Sequence, residues 1–230
     1  MHGSRAPRKV TTSELTLAAT LAAVYIVSTF IPVSPFIGGG PGFITAEVAM
    51  LPLIAALLRP VLAGASITAG SLGMALFKSS IYAVFGPLGL LVPIIATVLG
   101  SVAFHYKVGA LLPWSYLVLG ALYYVAFSQG GTILWLAPYM IVIISLPAVL
   151  KMSGVLRIGF LSFYTAMSEQ VTLNVLSISA LGLVGTVWTA ITPFMYTERA
   201  VAAFGGAFLI VALKSRLGEK LETGLRSLGR

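Results

Sequence analysis

The chain alternates long apolar runs with short breaks rich in glycine, proline or charge. A helix rising 1.5 Å per residue needs about 20 residues to cross a ~30 Å hydrocarbon layer. The apolar runs are Leu15–Val33, Ala46–Leu58, Val61–Phe77, Ala83–Phe104, Ala110–Phe127, Ile133–Leu150, Phe160–Leu183 and Ala200–Leu213. They give eight spans, with six or seven as the alternatives. Ala46–Leu58 is short for a crossing and reads as a broken or tilted helix. Leu183–Met195 is also apolar, so the last third can be divided in more than one way. Pro60 suits the first turn of a new helix, which makes Leu58-Arg59-Pro60 a tight hairpin. The expected fold is all-α: a polytopic transmembrane helix bundle over residues 1–213, then a basic tail over residues 214–230.

Composition supports lipid rather than water as the surroundings. Hydrophobic residues make up 58% of the chain and charged residues 9%, against about 25% charged in soluble domains. So few charges cannot furnish a water-facing surface. A net charge of +8 would suggest nucleic acid in a soluble protein. Here the basic residues fall between apolar runs, as in cytoplasmic loops. With the N-terminus inside, the inner connections carry Arg59, His105, Lys107, Lys151 and Arg157, and the tail adds Lys214, Arg216, Lys220, Arg226 and Arg230. The outer connections hold Gly38–Phe43, Lys78, Gln129–Gly131 and the Glu198-Arg199 pair. This split favours both termini in the cytoplasm and a multi-pass protein of the plasma membrane. Arg5, Arg8 and Lys9 precede the first run without a small-residue cleavage site, so that run reads as a retained span. In the tail, Leu217, Leu221, Leu225 and Leu228 share a helix face. That face could rest on the membrane surface or dock a cytoplasmic partner.

Several chemistries are disfavoured. There is no Cys and no Asp, so thiolate, disulfide and aspartyl chemistry are excluded. No phosphate-binding loop, H-E-x-x-H or nucleophile elbow occurs. His105 adjoins Lys107, and the other histidine is His2, a poor set for a metal. We expect no enzyme activity, no metal and no cofactor.

The candidate binding residues are polar groups in or beside apolar runs. Glu169, Gln170, Thr172 and Asn174 interrupt one run, and polar groups at membrane depth need partners. Gln170 and Asn174 are four apart and share a face, whereas Glu169 and Asn174 do not. Either they bind a ligand, or the segment bends and brings them to the outer interface. Glu47, at the start of a short helix, is favoured there by the helix dipole alone. Lys78, Tyr82, Gln129, Trp135, Tyr139 and Tyr164 are placed to reach the same outer side, where aromatics also serve as interface anchors. Gly38-Gly39-Gly40-Pro41-Gly42-Phe43 cannot stay helical, and reads as a flexible loop or a gate over a binding site. The candidate substrate-binding set is therefore Glu169, Asn174, Gln170, Lys78, Gln129 and Glu47. The pairs Ala18/Ala22 and Ala19/Ala23 make a small-residue face on the first span. It suits either internal packing or a separate membrane subunit.

The first third of the chain resembles the S components of energy-coupling factor importers, small membrane proteins that bind vitamins and related solutes. The resemblance rests on Ala18-Ala19-x-x-Ala22-Ala23, on the irregular outer loop after it, and on Leu51–Pro60 followed by Ala63-Gly64. The Pro193…Glu198-Arg199 stretch is similar too. The resemblance implies a helix bundle of usually six spans and a vitamin-like solute. It also implies a transmembrane coupling subunit that meets Ala18, Ala19, Ala22 and Ala23, together with cytoplasmic ATPases. A stand-alone secondary transporter or channel is the alternative. It would need a coupling-ion site near the bilayer centre, where Glu169 is the candidate.

Overall fold

The computed structural model describes residues 10–35, 43–77 and 84–226. The Gly38–Gly42 stretch, Lys78, Tyr82 and residues 227–230 lie outside the described residues, as do the side chains of Leu217, Leu221 and Leu225.

Helix α1 (Thr12–Ser28) starts on a capping box. The Thr11 hydroxyl accepts from the Glu14 N–H at 3.3 Å, and the Glu14 carboxylate accepts from the Thr11 N–H at 2.9 Å. This satisfies two of the amides that a helix start leaves open. Strands β1 (Pro32–Pro35) and β2 (Phe43–Thr45) form a small antiparallel pair. All other described regular structure is helical. A 3-10 turn, Ala46–Ala49, leads into α2 (Met50–Leu57), which is followed by α3 (Pro60–Phe77) with Pro60 in its first position, as expected. Another 3-10 turn, Gly86–Leu90, enters α4 (Leu91–His105), and α5 is Leu111–Phe127. Ile133–Leu136 enters α6 (Ala137–Val149) in the same way. Helix α7 (Gly154–Leu181) stops at Gly182, whose φ of 62° is the left-handed C-cap that glycine supplies without strain. Helix α8 (Val187–Ala200) passes through a π-helical turn, Val201–Gly205, into α9 (Gly206–Arg226).

Side-chain contacts give the helix directions. The Ser66 hydroxyl donates to the Ala18 carbonyl at 2.7 Å, and a Cβ on Gly70 would stand 2.9 Å from the Tyr25 ring. Positions on α1 and α3 thus rise together, so the two helices run the same way and α2 returns beside them. At one end of the bundle, Arg59 pairs with Glu14 at 3.1 Å and the Ser101 hydroxyl donates to the Leu58 carbonyl at 2.6 Å. At the other end, the Gly185 N–H donates to the Ser128 carbonyl at 2.9 Å. The helices alternate between these two ends. Arg59, Lys107, Lys151, Arg157, Lys214 and Arg216 all belong to the first, hereafter the basic end. Among the described residues, Arg199 alone departs from that pattern.

Three helical segments are long and apolar enough to cross a membrane: Pro60–Phe77, Gly86–His105 and Val187–Arg216. Thr12–Ser28, Ala46–Leu57, Leu111–Phe127 and Ile133–Val149 are shorter apolar helices. The eight apolar runs correspond to eight helical segments, but the last boundary differs from expectation. Ala200 does not begin a span. It lies inside one continuous helical segment that starts at Val187 and includes Pro193. The helix also continues past residue 213 without a break.

Helix α7 is the axis of the bundle, in contact with α2, α4, α5, α6, α8 and α9. Glycines let its neighbours come close: a Cβ on Gly120 of α5 would stand 2.5 Å from Val171. Every residue of α2 is buried, as suits a helix that is hydrophobic all round. One apolar core joins α1, α2, α3 and α9, and a second, richer in aromatics, joins α5, α6, α7 and α8. Large apolar side chains also cover the outside, with Val61 and Leu76 each 83% exposed. A surface of that kind needs an apolar phase around it.

A candidate solute-binding groove between α7 and α8

Helix α7 turns Gln170, Leu173, Asn174, Ser177 and Leu181 to one side, at the i, i+3/i+4 spacing of a single helix face. Helix α8 faces it with Trp188, Ile191, Met195 and Glu198 at the same kind of spacing. Between them lies a half-open pocket of about 70 Å³, closed at the sides by Phe85 and Trp135. Trp188 and Leu183, beside the α7–α8 turn, put one end of the pocket at the end of the bundle opposite the basic loops. Glu198 lines it further along α8.

The polar wall is held from behind. Asn174 is 1% exposed, and one edge of its amide meets the Tyr139 hydroxyl at 2.6 Å and the Trp135 indole nitrogen at 2.9 Å. An indole N–H only donates, so the amide oxygen must face Trp135. The Asn174 nitrogen then donates to the Gln170 carbonyl at 3.2 Å, and the Gln170 side-chain atom 2.9 Å away must be its oxygen. Tyr124, Trp135 and Trp188 support this wall as an aromatic corner, with the Trp135 and Trp188 rings 5.0 Å apart at 66°.

Beside Glu198 lies a buried ion network. The Arg199 guanidinium donates to Glu169 at 2.5 Å and to the Ala166 carbonyl at 2.8 Å. Its other terminal nitrogen lies 3.7 Å from Glu198. Arg199 is only 2% exposed. Two carboxylates answer the charge of this buried guanidinium, while its Nε and second terminal nitrogen are buried without a hydrogen-bond partner.

The structure thus brings together two of the expected binding residues, Gln170 and Asn174, and leaves Glu169, Gln129 and Glu47 out of the groove lining. Glu169 lies on another face of α7 and is engaged by Arg199, so it does not line the groove. Gln129 is exposed in the turn after α5 with a φ of 48°. Glu47 sits in the 3-10 turn before α2, against the π-helical turn, and is not part of the groove lining. Lys78 is outside the described residues. The Glu198-Arg199 pair, expected in an outer connection at the start of a span, is instead buried within a continuous helix, because Arg199 reaches the middle of α7. The four alanines do not share one face. Ala18 and Ala22 are buried against α3, while Ala19 and Ala23 are exposed.

Reading the sequence missed Trp188 and the role of Arg199. The signals were present: an arginine embedded in apolar sequence needs a partner, and Trp188, Ile191, Met195 and Glu198 repeat at helical spacing. No protein-family model, curated protein or solved structure matches the chain. Function is therefore argued from the site.

Proposed function

We propose that the chain is the solute-binding membrane subunit of an ATP-driven importer of the energy-coupling factor type. The observation that carries this reading is the half-open groove. Its buried amide wall faces an aromatic wall, at the end of the bundle opposite the basic loops. Binding sites are concave, mostly apolar and furnished with a few placed polar groups. The basic loops at one end fit a cytoplasmic face; on this reading the groove belongs to the outer half of the bundle and both termini are inside. On this reading all eight helical segments belong to the membrane bundle. Helix α2 is shorter than a bilayer is thick, but it is enclosed by other helices and not matched to lipid.

The resemblance in the first third supplies the partners: a transmembrane coupling subunit and ATPases, with a vitamin-like solute. Ala19 and Ala23 remain exposed on α1 for that contact. The stand-alone carrier is less well supported, because Glu169, its candidate for coupling an ion, is engaged by Arg199.

The test has two parts. The chain is purified in mild detergent and its retained small molecules are identified by mass spectrometry. It is then reconstituted with and without a coupling module. Retention of a solute, with uptake only when ATPases are present, is the expected outcome. Uptake by the chain alone, driven by an ion gradient, would establish the carrier instead.

A further inference from the structure

The helical segment Val187–Arg216 is interrupted twice on its way through the bundle. Pro193 has no N–H, so the carbonyl four residues before it loses its helical partner. At Val201–Gly205 the helix makes a π-helical turn, whose hydrogen bonds reach one residue further than those of an α-helix. Helices bend at both kinds of position. The two sides of the π-helical turn are held differently. On the basic side, α9 sits directly on α2. A Cβ on Gly206 would stand 2.8 Å from Pro52 and 3.1 Å from the Ala49 carbonyl, and backbones packed that closely leave no room for movement. On the other side, α8 leans on α7 beside the groove and on two short elements, β1 and the 3-10 turn Ile133–Leu136. Its opposite face, with Thr189, Ala190, Pro193, Tyr196 and Thr197, is exposed.

Distance from the turn sets what a bend would do. Arg199, joined to Glu169 and the Ala166 carbonyl, lies beside the turn and moves little. Trp188, at the far end of α8, stands about 20 Å along the helix. A bend of about 20°, the size at which a helix counts as kinked, carries that end about 7 Å. The seat of Trp188 against Trp135 and Tyr124 is apolar and enclosed, which favours α8 in place. Yet the Trp188 indole N–H is buried there without a hydrogen bond. Buried donors are ordinarily satisfied, so this seat carries an unmet donor. Outward movement takes it toward water at the membrane surface, where tryptophan side chains are common.

We propose that the π-helical turn is a hinge, about which α8 swings away from α7 to open the groove and returns to close it. In the structure α8 is at the closed position, and Gln170 and Asn174 are enclosed behind it. This deepens the solute-binding reading, and rests on it for what the groove admits.

The experiment uses the full-length chain in lipid nanodiscs. The chain has no cysteine, so spin labels attach only where cysteines are introduced. Ser179→Cys with Ala190→Cys puts one label on α7 and one on α8, both at exposed positions. Leu156→Cys with Ser215→Cys is the reference pair, joining α7 to α9 on the fixed side of the turn. Pulsed electron spin resonance should give one narrow distance for the reference pair. For the α7–α8 pair it should give a spread wider by about 7 Å, the displacement expected at the end of a helix of this length. Deleting the exposed Phe204 takes one residue out of the π-helical turn and should narrow that spread to the reference width. Gly205→Ala removes glycine's backbone freedom at the same turn and puts a Cβ 3.1 Å from that of Ala49. It should narrow the spread in part, so a folding defect in the deletion does not decide the matter. Pro193→Ala should leave most of the spread. An α7–α8 distance as narrow as the reference in the parent chain overturns the hinge. A spread that survives both changes at the turn, or that Pro193→Ala alone removes, overturns it as well, because the pivot then lies elsewhere. The transport reading is decided separately, by whether mass spectrometry finds a retained solute, so either can fail without the other.

Discussion

The first half of the bundle and the second bury their helices in different ways. Around α2, the packing of α1, α3, α4, α7 and α9 is apolar and continuous. Ile54 and Ala55 are completely enclosed, and the polar groups among them are small hydroxyls, as in Ser66 to the Ala18 carbonyl and Ser101 to the Leu58 carbonyl. Around the half of α7 away from the basic end, the neighbours are Tyr139, Trp135, Trp188 and Arg199, and the helix carries Glu169, Gln170 and Asn174 inward. These rings and polar groups are as enclosed as the aliphatic core, and a small groove lies beside them between α7 and α8. The contrast teaches where function can reside in a chain of this composition. The apolar half is a scaffold with one way to pack, and the polar half leaves concave space lined by groups that can recognise a ligand.

That contrast can be broken most severely at Arg199. Replacing it with Met leaves the buried Glu169 carboxylate without its cation, which should lower stability by about 3–5 kcal/mol. The double variant Arg199→Met with Glu169→Gln should recover much of that loss, since no charge is then left behind. Thermal unfolding in detergent reads both. If the single variant melts like the parent, the network is not what holds α8 against α7.

The next effect separates scaffold from groove. Ile54→Ala opens a cavity in a closed core and should cost about 2–5 kcal/mol. Ile191→Ala removes a side chain that borders space already present, and should cost about 1 kcal/mol or less. Equal losses in the same unfolding assay would mean that the groove closes in solution.

The α1 alanines give a smaller, sharper test. Ala18→Trp forces bulk between α1 and α3 and should destabilise the isolated chain by about 1–3 kcal/mol. Ala19→Trp points outward and should leave its melting temperature unchanged while blocking assembly with a coupling subunit. Pull-down and thermal shift on the two variants decide it: normal assembly of Ala19→Trp would remove α1 from the proposed contact.

The smallest effect is at the basic end. Arg59 and Glu14 pair at 3.1 Å with both side chains partly exposed, so Arg59→Gln should cost no more than about 1 kcal/mol. A larger loss would show that this pair, and not the apolar packing, ties α1 to the α2–α3 turn.

The sequence by itself determined the helical class, the positions of the first seven apolar segments and the basic character of alternate connections. Each of these follows from local quantities: run length against bilayer thickness, and the placement of charge between runs. It also picked out Gln170 and Asn174 as one helix face, because a spacing of four is a property of the helix alone. Which polar residues meet across helices was decided only by the tertiary structure. Glu169 is one position from Gln170, yet it turns to Arg199 and not to the groove, since adjacent helical positions point about 100° apart and different neighbours stand there. Ala18 and Ala19 part in the same way, one facing α3 and the other outward. The last span starts at Val187 and carries Pro193 inside it, whereas proline followed by a charged pair reads locally as a break. The partner that makes the charged pair tolerable at depth, Glu169, lies 30 residues earlier in the chain. Nothing local to Arg199 announces it.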